Sequence, residues 1–270
     1  MEKTRPFLKW AGGKFKSVER IKAMLPAGSC LIEPFCGSCA VALNTDYDKY
    51  ILADNNADLI NLYQILQEQG EPYIDCCRTF FVPENNIGIR YYELRNLFNE
   101  TTNLYLKAAL FLYLNRHGFN GLCRYNSKGV FNVPFGKYDK PYFPEAEMKY
   151  FHEKAKAAVF RVADFRETMR EAEPGSVIYC DPPYVPLTAT AYFTSYSAGG
   201  FSQQDQLDLA ELARECADRG VPVVISNHAT EFTLEAYRGA QIEQFSVQRN
   251  ISCDGKNRGK AKELLALFKG

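Results

Sequence analysis

The sequence predicts an α/β protein with a sheet domain and a mostly helical insert that carries a β-hairpin. Short apolar runs alternate with segments of helical spacing at both ends of the chain, which is typical of βαβ units with a parallel sheet. Residues 71–150 lack this alternation and are rich in aromatic side chains. We therefore expect a sheet domain formed by residues 1–70 plus 151–270, interrupted by an insert at 71–150. At 270 residues, the chain is long enough to bury a sizeable core.

Six runs have the apolar or alternating pattern of β-strands. The first of them leads into a small-residue turn at Gly37, and the second ends at Asp54. Residues 221–226 are almost all apolar, as expected for a central strand of a parallel sheet. The predicted strands span residues 30–35, 50–53, 158–164, 176–180, 221–227 and 242–250.

Helices are expected where apolar residues recur three or four positions apart. Residues 57–69 show this spacing, with Leu59, Ile60, Tyr63 and Leu66 among their apolar side chains. The insert also contains a stretch rich in Gly, Asn and aromatic residues, in which a hairpin is predicted around residues 126–129. The other predicted helices span residues 39–46, 89–99, 104–116 and 203–219.

The net charge does not identify a partner, because 32 basic residues balance 32 acidic ones. Two local surpluses of positive charge stand out, and each is either a solvated face or a binding surface. The first lies within residues 115–140 and comprises Arg116, Arg124, Lys128, Lys137 and Lys140. The second lies near the C-terminus and comprises Arg249, Lys256, Arg258, Lys260 and Lys262.

Cysteine usage and hydropathy predict a soluble, intracellular protein. Nine cysteines at scattered spacings fit reduced thiols. Cys36 and Cys39 match the C-x-x-C pattern, but there is no second pair and the three histidines are far apart, so we expect no metal. Residues 1–16 are charged and hold no apolar signal core, and the longest apolar run, residues 108–114, is too short to span a bilayer.

The glycine turn and the carboxylate that follows it form a first candidate site. Gly37 and Asp54 are 17 residues apart, close to the spacing of about 20 in dinucleotide-type folds. In such folds the polar tail of the ligand lies at the glycine turn, and its ribose hydroxyls bind the carboxylate. A glycine turn after a strand occurs in many α/β proteins, so this feature alone does not identify the ligand.

The sequence Asp181-Pro182-Pro183-Tyr184 carries the strongest chemical signal. It follows the predicted strand at 176–180, and the two prolines end that strand in a rigid turn without N–H donors of its own. The turn presents a carboxylate, the carbonyl of Pro182 and the ring of Tyr184 at the carboxyl end of a strand, where open α/β sheets bind ligands. An exocyclic amino group on a flat heterocycle needs two acceptors and a stacking partner, and it therefore fits this turn.

A third motif lies near the N-terminus, where Trp10 stands beside a Gly12-Gly13-Lys14 turn. An aromatic ring next to such a turn can pack on a ligand, and Lys14 can pair with a carboxylate or a phosphate. Trp10 is equally compatible with a role as a core anchor, so the motif does not decide between the two.

Taken in this order, residues 7–14, 33–37 and 181–184 resemble the amino-group DNA methyltransferases of the alpha class. Residues 114–126 and 131–136 are similar to the bacterial DNA adenine methyltransferases of the Dam type, and the similarity extends over nearly the whole chain. The resemblance implies a Rossmann-like, S-adenosylmethionine-dependent methyltransferase domain with a DNA target-recognition insert. It also implies a cytoplasmic bacterial enzyme that methylates N6 of adenine in duplex GATC, and it favours a role in replication, mismatch repair and gene regulation over a role in a restriction system, although one chain does not separate the two. Nothing in the sequence requires more than a monomer, and the oligomeric state stays open.

The resemblance also assigns roles to residues of this sequence. Asp181, Pro182 and Tyr184 would be catalytic. Cys39 stands where the family usually has a second glycine, so the cofactor turn must differ slightly if it needs a positive φ at this position. The implied cofactor-binding residues are Trp10, Lys14, Phe35, Gly37, Asp54 and Asp181.

The implied reaction requires base flipping, because N6 of adenine is unreachable inside a duplex. Phe119, where the family often has Tyr, is the candidate that stacks into the vacated helix. Arg124 and Lys9 are candidates for reading guanine edges, and Leu122 and Pro134 for contacting a thymine methyl. The candidates for phosphate and sugar contacts are Arg116, Asn120, Asn132, Lys137 and Tyr138.

Alternative functions stay open on the sequence alone. Methyltransferases that act on cytosine N4, RNA or protein glutamine use similar turns on the same kind of nitrogen. A DNA-binding relative without catalytic activity is a further alternative, although intact Asp54, Asp181 and Tyr184 argue against it. Residues 185–201 contain two consecutive glycines, and we expect this loop to become ordered only over substrate.

Overall fold

The structure, a computed structural model, describes residues 3–185, 201–248 and 260–270. Its strands are β1 (Cys30–Glu33), β2 (Lys49–Asp54), β3 (Ala158–Val162), β4 (Ser176–Cys180), β5 (Val223–His228), β6 (Gln241–Gln248) and β7 (Lys260–Phe268). They form one mixed sheet in the order β3-β2-β1-β4-β5-β7-β6, so the predicted α/β fold is confirmed. Arg249, Lys256 and Arg258 of the predicted basic cluster lie outside the described residues, as does most of the predicted loop at 185–201.

The centre of the sheet is parallel and one side is antiparallel. Strand β4 pairs in parallel with β1 and with β5. Strand β7 pairs antiparallel with both β5 and β6. The prediction of a central parallel strand at 221–226 is therefore right for one neighbour of β5 and wrong for the other. Strand β7 itself was not predicted, because its first residues, Lys260-Ala261-Lys262-Glu263, do not have the apolar character of a buried strand.

Most predicted helices are present with bounds within two residues of the prediction. The Asn56 side chain accepts the Leu59 N–H and so begins the predicted helix at 57–69, and Gly70 ends it with a left-handed φ of 55°. The helices are α1 (Val18–Met24), α2 (Ala57–Gln69), α3 (Glu71–Arg78), α4 (Gly88–Glu100), α5 (Leu104–His117), α6 (Glu145–Ala155), α7 (Phe165–Arg170), α8 (Gln203–Asp218) and α9 (Glu231–Ala236).

The predicted helix at 39–46 is wrong. This segment contains only a short 3₁₀ helix, Ala42–Asn44. Cys39 has a left-handed φ of 59°, which a right-handed helix cannot include, and Thr45 is extended. The spacing of small residues after Gly37 therefore reflects a tight turn and not a helix.

The chain divides into two compact units. The first unit comprises Met1–Glu19, Cys36–Asp46 and Leu52–Val162, and the second comprises Arg20–Phe35, Tyr47–Ile51 and Ala163–Gly270. Residues 71–150 lie entirely within the first unit, but the predicted domain boundaries at these positions stay a prediction. None of the helices in the described ranges combines the length and apolar character that a membrane span requires.

Each unit has its own apolar interior. In the first unit, Tyr63 stacks on Phe151 with ring centroids 4.8 Å apart, and Phe7 meets Phe151 edge-on at 5.0 Å. In the second unit, helix α8 packs its buried face against the apolar residues of β4, β5 and β7. Every residue of β4 is buried, with Ile178 and Cys180 in this core, and the turn that follows β4 therefore starts from a fixed strand end.

Candidate active site

The glycine turn in the first unit is held by hydrogen bonds to both the N–H and the carbonyl of Gly37. Gly37 has a left-handed φ of 45°. Its N–H donates to Asp54 Oδ2 at 3.1 Å, and its carbonyl accepts from the Tyr63 hydroxyl at 2.5 Å. A Cβ at Gly37 would lie 2.7 Å from Trp10 Nε1, so only glycine allows the indole to approach this closely. The sequence-predicted residues Trp10, Gly37 and Asp54 thus lie together.

Asp54 ends β2 with both carboxylate oxygens engaged by backbone donors. Oδ1 accepts from the Asn56 N–H at 3.0 Å, and Oδ2 accepts from Gly37. Burial raises the pKa of this carboxyl, while the hydrogen bonds from the backbone of Asn56 and Gly37 lower it. A carboxylate has about four acceptor positions, so the backbone donors of Gly37, Asn55 and Asn56 leave Asp54 able to accept from a ligand hydroxyl as well.

Lys14 begins a short 3₁₀ helix and is buried, with 8% of its surface exposed. Its ammonium donates to the Gly12 carbonyl at 2.6 Å. The turn that precedes it, residues 10–13, is closed by the Gly13 N–H, which donates to the Trp10 carbonyl at 3.2 Å. The N-terminal motif is therefore a compact turn in which Trp10 and Lys14 are both held in place.

Phe35 belongs to the second unit. Its ring stacks on Phe165 at a centroid distance of 5.3 Å and meets Phe201 edge-on at 5.6 Å. Phe35 is only partly buried, so this aromatic group does not enclose the residue completely. A partly buried aromatic residue next to a strand end can pack on a flat ligand.

The turn formed by residues 181–184, here called the DPPY turn, follows the fully buried strand β4 in the second unit. Asp181 is half-buried, and its Oδ1 accepts from Ser226 Oγ at 2.9 Å. Ser226 Oγ also lies 3.0 Å from the Tyr179 hydroxyl. Ser226 is near the end of β5, so the neighbouring parallel strand helps to orient the carboxylate.

The last residues of β5 also hold the far side of the DPPY turn. The ring of Tyr184 meets His228 edge-on, with centroids 4.8 Å apart. His228 Nδ1 lies 2.7 Å from the Val185 carbonyl, and because a carbonyl only accepts, this nitrogen carries the proton. Burial, followed by the nearby Asp181, raises the pKa of the Tyr184 hydroxyl well above its usual value, so this phenol is neutral.

The predicted hairpin is present in the first unit. Tyr125 and Phe131 form an antiparallel bridge, and the Asn126 N–H donates to the Val130 carbonyl at 2.9 Å. Asn126 Oδ1 accepts from the N–H groups of Lys128 and Val130, which closes the turn. Arg124 is exposed beside this hairpin, and its Nε donates to Asn132 Oδ1 at 2.7 Å. Arg124, which is predicted to read a base, is therefore held by Asn132, which is predicted to contact a phosphate or sugar of the DNA.

Lys9, Asn120 and Tyr138 form a second group in the first unit. The Lys9 ammonium lies 4.0 Å above the ring of Tyr138, whose hydroxyl accepts from the Asn120 N–H at 2.9 Å. Burial, followed by the nearby Arg116, lowers the pKa of Lys9. A Cβ at Gly121 would lie 2.3 Å from Lys9 Cβ, so the glycine permits this close approach. Three of the predicted DNA contacts thus share one surface.

The other predicted DNA contacts differ in accessibility. Phe119 is 48% exposed, although its N–H is fixed by the Pro134 carbonyl at 2.8 Å. Arg116 is only 8% exposed, its guanidinium lies 5.3 Å from the ring of Tyr142, and its Nε has no hydrogen-bond partner among the described residues. Burial lowers the pKa of Arg116. Pro134 and Lys137 are exposed, and Leu122 is partly buried.

Sequence reasoning missed several residues that hold these groups. Asn115 lies in an apolar helix, yet its amide binds both backbone polar groups of Lys9 at 2.9 and 2.7 Å and the Gly121 carbonyl at 3.1 Å. Ser226, Asn227 and His228 support the DPPY turn. A polar triplet directly after the apolar run of β5 was a usable signal, because polar residues at the carboxyl ends of parallel strands often belong to a site.

Comparison with known proteins decides the family. The model of the D12 class of N6 adenine-specific DNA methyltransferases matches residues 10–251, which is most of the chain. The chain belongs to this family. The DNA adenine methylase of Escherichia coli K12 is 51% identical over 269 residues, covering 100% of this chain and 97% of its own length. The DNA adenine methylase of Serratia marcescens is 53% identical over 270 residues, with full coverage of both chains.

The chain is also similar to a third relative and to a solved structure. The DNA adenine methylase of Vibrio cholerae El Tor is 52% identical over 269 residues, covering 99% of this chain and 97% of its own length. Among solved structures, an rRNA methylase of Streptococcus thermophilus matches 100% of this chain at 11% identity, with a TM-score of 0.36. The D12 membership makes the chain an adenine-specific DNA methyltransferase, an enzyme whose substrate is DNA.

Proposed function

We propose that this D12 methyltransferase transfers a methyl group from S-adenosylmethionine to N6 of adenine in duplex GATC, by base flipping and direct transfer. The observation that carries the proposal is the DPPY turn. It follows the fully buried strand β4, its half-buried carboxylate is oriented by Ser226, and its ring is supported by His228. These groups match the two N–H bonds and the flat face of adenine.

The chemistry of the amine explains why two acceptors are needed. The N6 lone pair of adenine is delocalised into the ring, so the amino group is a poor nucleophile. The Asp181 carboxylate and the Pro182 carbonyl accept the two N–H bonds, which favours a pyramidal nitrogen with an available lone pair. Tyr184 stacks on the base and holds the line of attack, so positioning and electrostatics supply the rate.

A covalent intermediate on the enzyme has no place in this mechanism. Cys180 is the nearest thiol in sequence, but its side chain is fully buried in the core that β4 shares with α8. Burial, as the largest cause, raises its thiol pKa well above the usual value, so it stays protonated. Alternation along the strand also directs Cys180 away from Asp181.

The residues around the glycine turn fit a nucleoside-containing methyl donor. Asp54 can accept from ribose hydroxyls, and the indole of Trp10 packs against the Gly37 turn. When bound, S-adenosylmethionine supplies a methyl group on a positively charged sulfonium. Lys14 and Phe35 complete the proposed donor-binding set, and Asp181 serves both the donor and the target base.

Base flipping assigns a role to the exposed Phe119. Extruding a base costs a few kcal/mol of lost stacking and pairing. A large apolar ring at 48% exposure can offset part of this cost by entering the vacated stack. Arg124 and Lys9 would read guanine edges, and Leu122 and Pro134 would contact a thymine methyl. The proposed phosphate and sugar contacts are Arg116, Asn120, Asn132, Lys137 and Tyr138.

The similarity to DNA adenine methylases also supports a proposal about the role of this enzyme in the cell. We propose that the enzyme acts as a monomer in the bacterial cytoplasm. Methylated GATC sites would mark DNA for mismatch repair, replication and gene regulation. In this role the target-recognition part would correspond to residues 71–150 and the catalytic part to the rest of the chain.

Substituting Asp181 tests the catalytic assignment. Because Asp181 is the only side-chain carboxylate of the DPPY turn, Asp181→Ala should lower methylation of a GATC duplex by at least a thousandfold. Its affinity for the same duplex, measured by fluorescence anisotropy, should stay within about threefold of wild type. Asp46→Ala removes a carboxylate that is 82% exposed and serves as the control, with activity expected at the wild-type level. Near-normal turnover of Asp181→Ala would refute the mechanism.

A further inference from the structure

Two buried amides lie behind the DPPY turn. Gln206 of α8 is 3% exposed, and Asn227 of β5 is fully buried. Gln206 Nε2 donates to the Pro183 carbonyl at 2.7 Å, and Gln206 Oε1 accepts from Asn227 Nδ2 at 3.0 Å. Asn227 Nδ2 also donates to the Tyr237 hydroxyl at 2.9 Å. These hydrogen bonds link the carbonyl of Pro183 directly to helix α8 and, through Gln206, to strand β5.

The hydrogen-bonding capacity of Asn227 is filled. Its two N–H bonds go to Gln206 and Tyr237, and its Oδ1 accepts from the N–H groups of Val185 at 3.1 Å and His228 at 2.9 Å. A buried polar group that loses its partner costs about 1–3 kcal/mol, so a rotated Asn227 amide is disfavoured. Asn227 therefore presents an N–H to Gln206 Oε1, and this leaves Gln206 Nε2 to face Pro183.

The contact to Pro183 acts on ψ of Pro183, which is the only φ or ψ angle of the two prolines that neither ring closure nor a following proline restricts. Ring closure fixes φ of Pro182 and Pro183. A following proline restricts ψ of Asp181 and of Pro182. Pro183 is followed by Tyr184, so its own ψ has no such restriction. Rotation about this ψ moves the Pro183 carbonyl together with the backbone of Tyr184, and the Gln206 hydrogen bond holds that carbonyl.

We infer that Gln206 is a positioning residue, which sets the ring of Tyr184 relative to the two acceptors on Asp181 and Pro182. The inference rests on the proposed function, because that function gives Tyr184 its stacking role. Gln206 acts through the turn and not on the base. Without its hydrogen bond, the Tyr184 ring is less well fixed, and methyl transfer slows while the surfaces that bind DNA and donor stay intact.

Gln206→Met tests the inference, because it keeps the length of the side chain and removes both of its polar ends. We expect kcat for methylation of a GATC duplex to fall at least tenfold. The Kd values for the duplex and for S-adenosylhomocysteine should stay within twofold of wild type. With 2-aminopurine in place of the target adenine, fluorescence in the complex should rise, because a base less well stacked on Tyr184 is less quenched. Gln204→Met is the control, since Gln204 lies on the same helix, is exposed and donates to Asp208.

A second variant keeps the test decisive if Gln206→Met does not fold. Gln206→Leu also removes both polar ends and places a branched apolar side chain at this buried position. It should show a similar loss of kcat. Turnover within twofold of wild type in a folded Gln206 variant overturns the inference, as does an equal loss of affinity for both ligands. Failure of the proposed function differs from both outcomes, because wild type would then transfer no methyl group to the duplex.

Discussion

Arg124 and Lys137 illustrate, at the scale of single residues, how two basic side chains in one segment differ in environment, and therefore in the role that we propose for each. The Arg124 guanidinium is oriented by two contacts to Asn132, to Oδ1 at 2.7 Å and to the main-chain carbonyl at 3.4 Å. An oriented guanidinium can form a bidentate pair with a guanine edge. Lys137 is exposed and is a compact charge on a flexible stem, which suits a phosphate.

Substitution of these two residues should therefore have different consequences. Arg124→Ala should cost about 1–3 kcal/mol of discrimination at one base pair of GATC. Lys137→Ala should weaken binding to all sequences alike and reduce the salt dependence of the affinity by about one unit of slope. Methylation and binding profiles over all single-base variants of the site, at several salt concentrations, measure both effects. Equal profiles for the two variants would contradict this division of roles.

Cys39 is a residue whose backbone conformation makes a distinctive prediction. It is fully buried and has a φ of 59°, a conformation that favours glycine. Cys39→Ala keeps the strain and loses the thiol, whereas Cys39→Gly relieves the strain. Although glycine is usually the less stable choice, Cys39→Gly should be more stable than Cys39→Ala by about 1 kcal/mol. Urea unfolding of both variants measures this difference, and a more stable alanine variant would show that no strain is stored here.

Helix α5 shows, at the scale of an element, how burial overrides the usual preference of a helix terminus. His117 is the last residue of α5, where a positive charge is normally favourable. It is buried, however, and its Nδ1 donates to the Tyr113 carbonyl at 2.9 Å. Burial, followed by the nearby Lys9, lowers the pKa of His117 to about 4. The helix therefore ends in a neutral imidazole at pH 7.

This shift predicts a specific dependence of stability on pH. Histidine in the unfolded chain has a pKa of about 6.5, whereas His117 in the folded chain has a pKa of about 4. Between these two pH values the unfolded chain binds a proton at this residue and the folded chain does not. The free energy of unfolding should fall by up to about 3 kcal/mol as the pH drops through this window. His117→Gln removes the titrating group, so the difference between wild type and variant should change with pH between 6.5 and 4. Parallel curves would contradict a neutral His117.

Elements with a strong local signal were predictable, whereas elements that depend on distant partners were not. Helix α2 has both apolar periodicity and an Asn56 cap, and its predicted bounds were right. The prediction of a helix at 39–46 was wrong, because the spacing of apolar residues does not indicate that Cys39 has a left-handed φ. The position of strand β7 in the sheet depends on its pairing with β5 and β6. The polar residues at its start do not show the apolar pattern by which the other strands were predicted.

The same limit applies to the residues that support the candidate site. The chemical groups of the DPPY turn could be read directly, because the prolines and the preceding apolar run are local in sequence. Asn115 binds Lys9 across 106 residues, and Gln206 binds Pro183 across 23. The sequence around a buried amide does not indicate its distant partner, so the role of the amide emerges only when the chain is folded.

At the scale of the whole molecule, the residues assigned to the proposed reaction are distributed over the two units. The first unit contains the glycine turn, Asp54 and the hairpin segment with its basic side chains. The second unit contains the DPPY turn and the residues that hold it. Membership in the D12 family fixes adenine N6 and DNA as the chemistry. In the proposed function, sequence specificity for GATC depends on Lys9 and on the side chains of residues 115–140, which include the hairpin.

The measurement that tests the central claim most directly uses S-adenosylmethionine labelled in its methyl group. Two duplexes are compared that are identical except that GATC in one is replaced by GTTC in the other. Label on the GATC duplex alone, recovered as N6-methyladenine, is the predicted result and establishes donor, target atom and site together. Equal labelling of both duplexes would contradict the proposed recognition of GATC, and label on neither would contradict the proposed function as a whole.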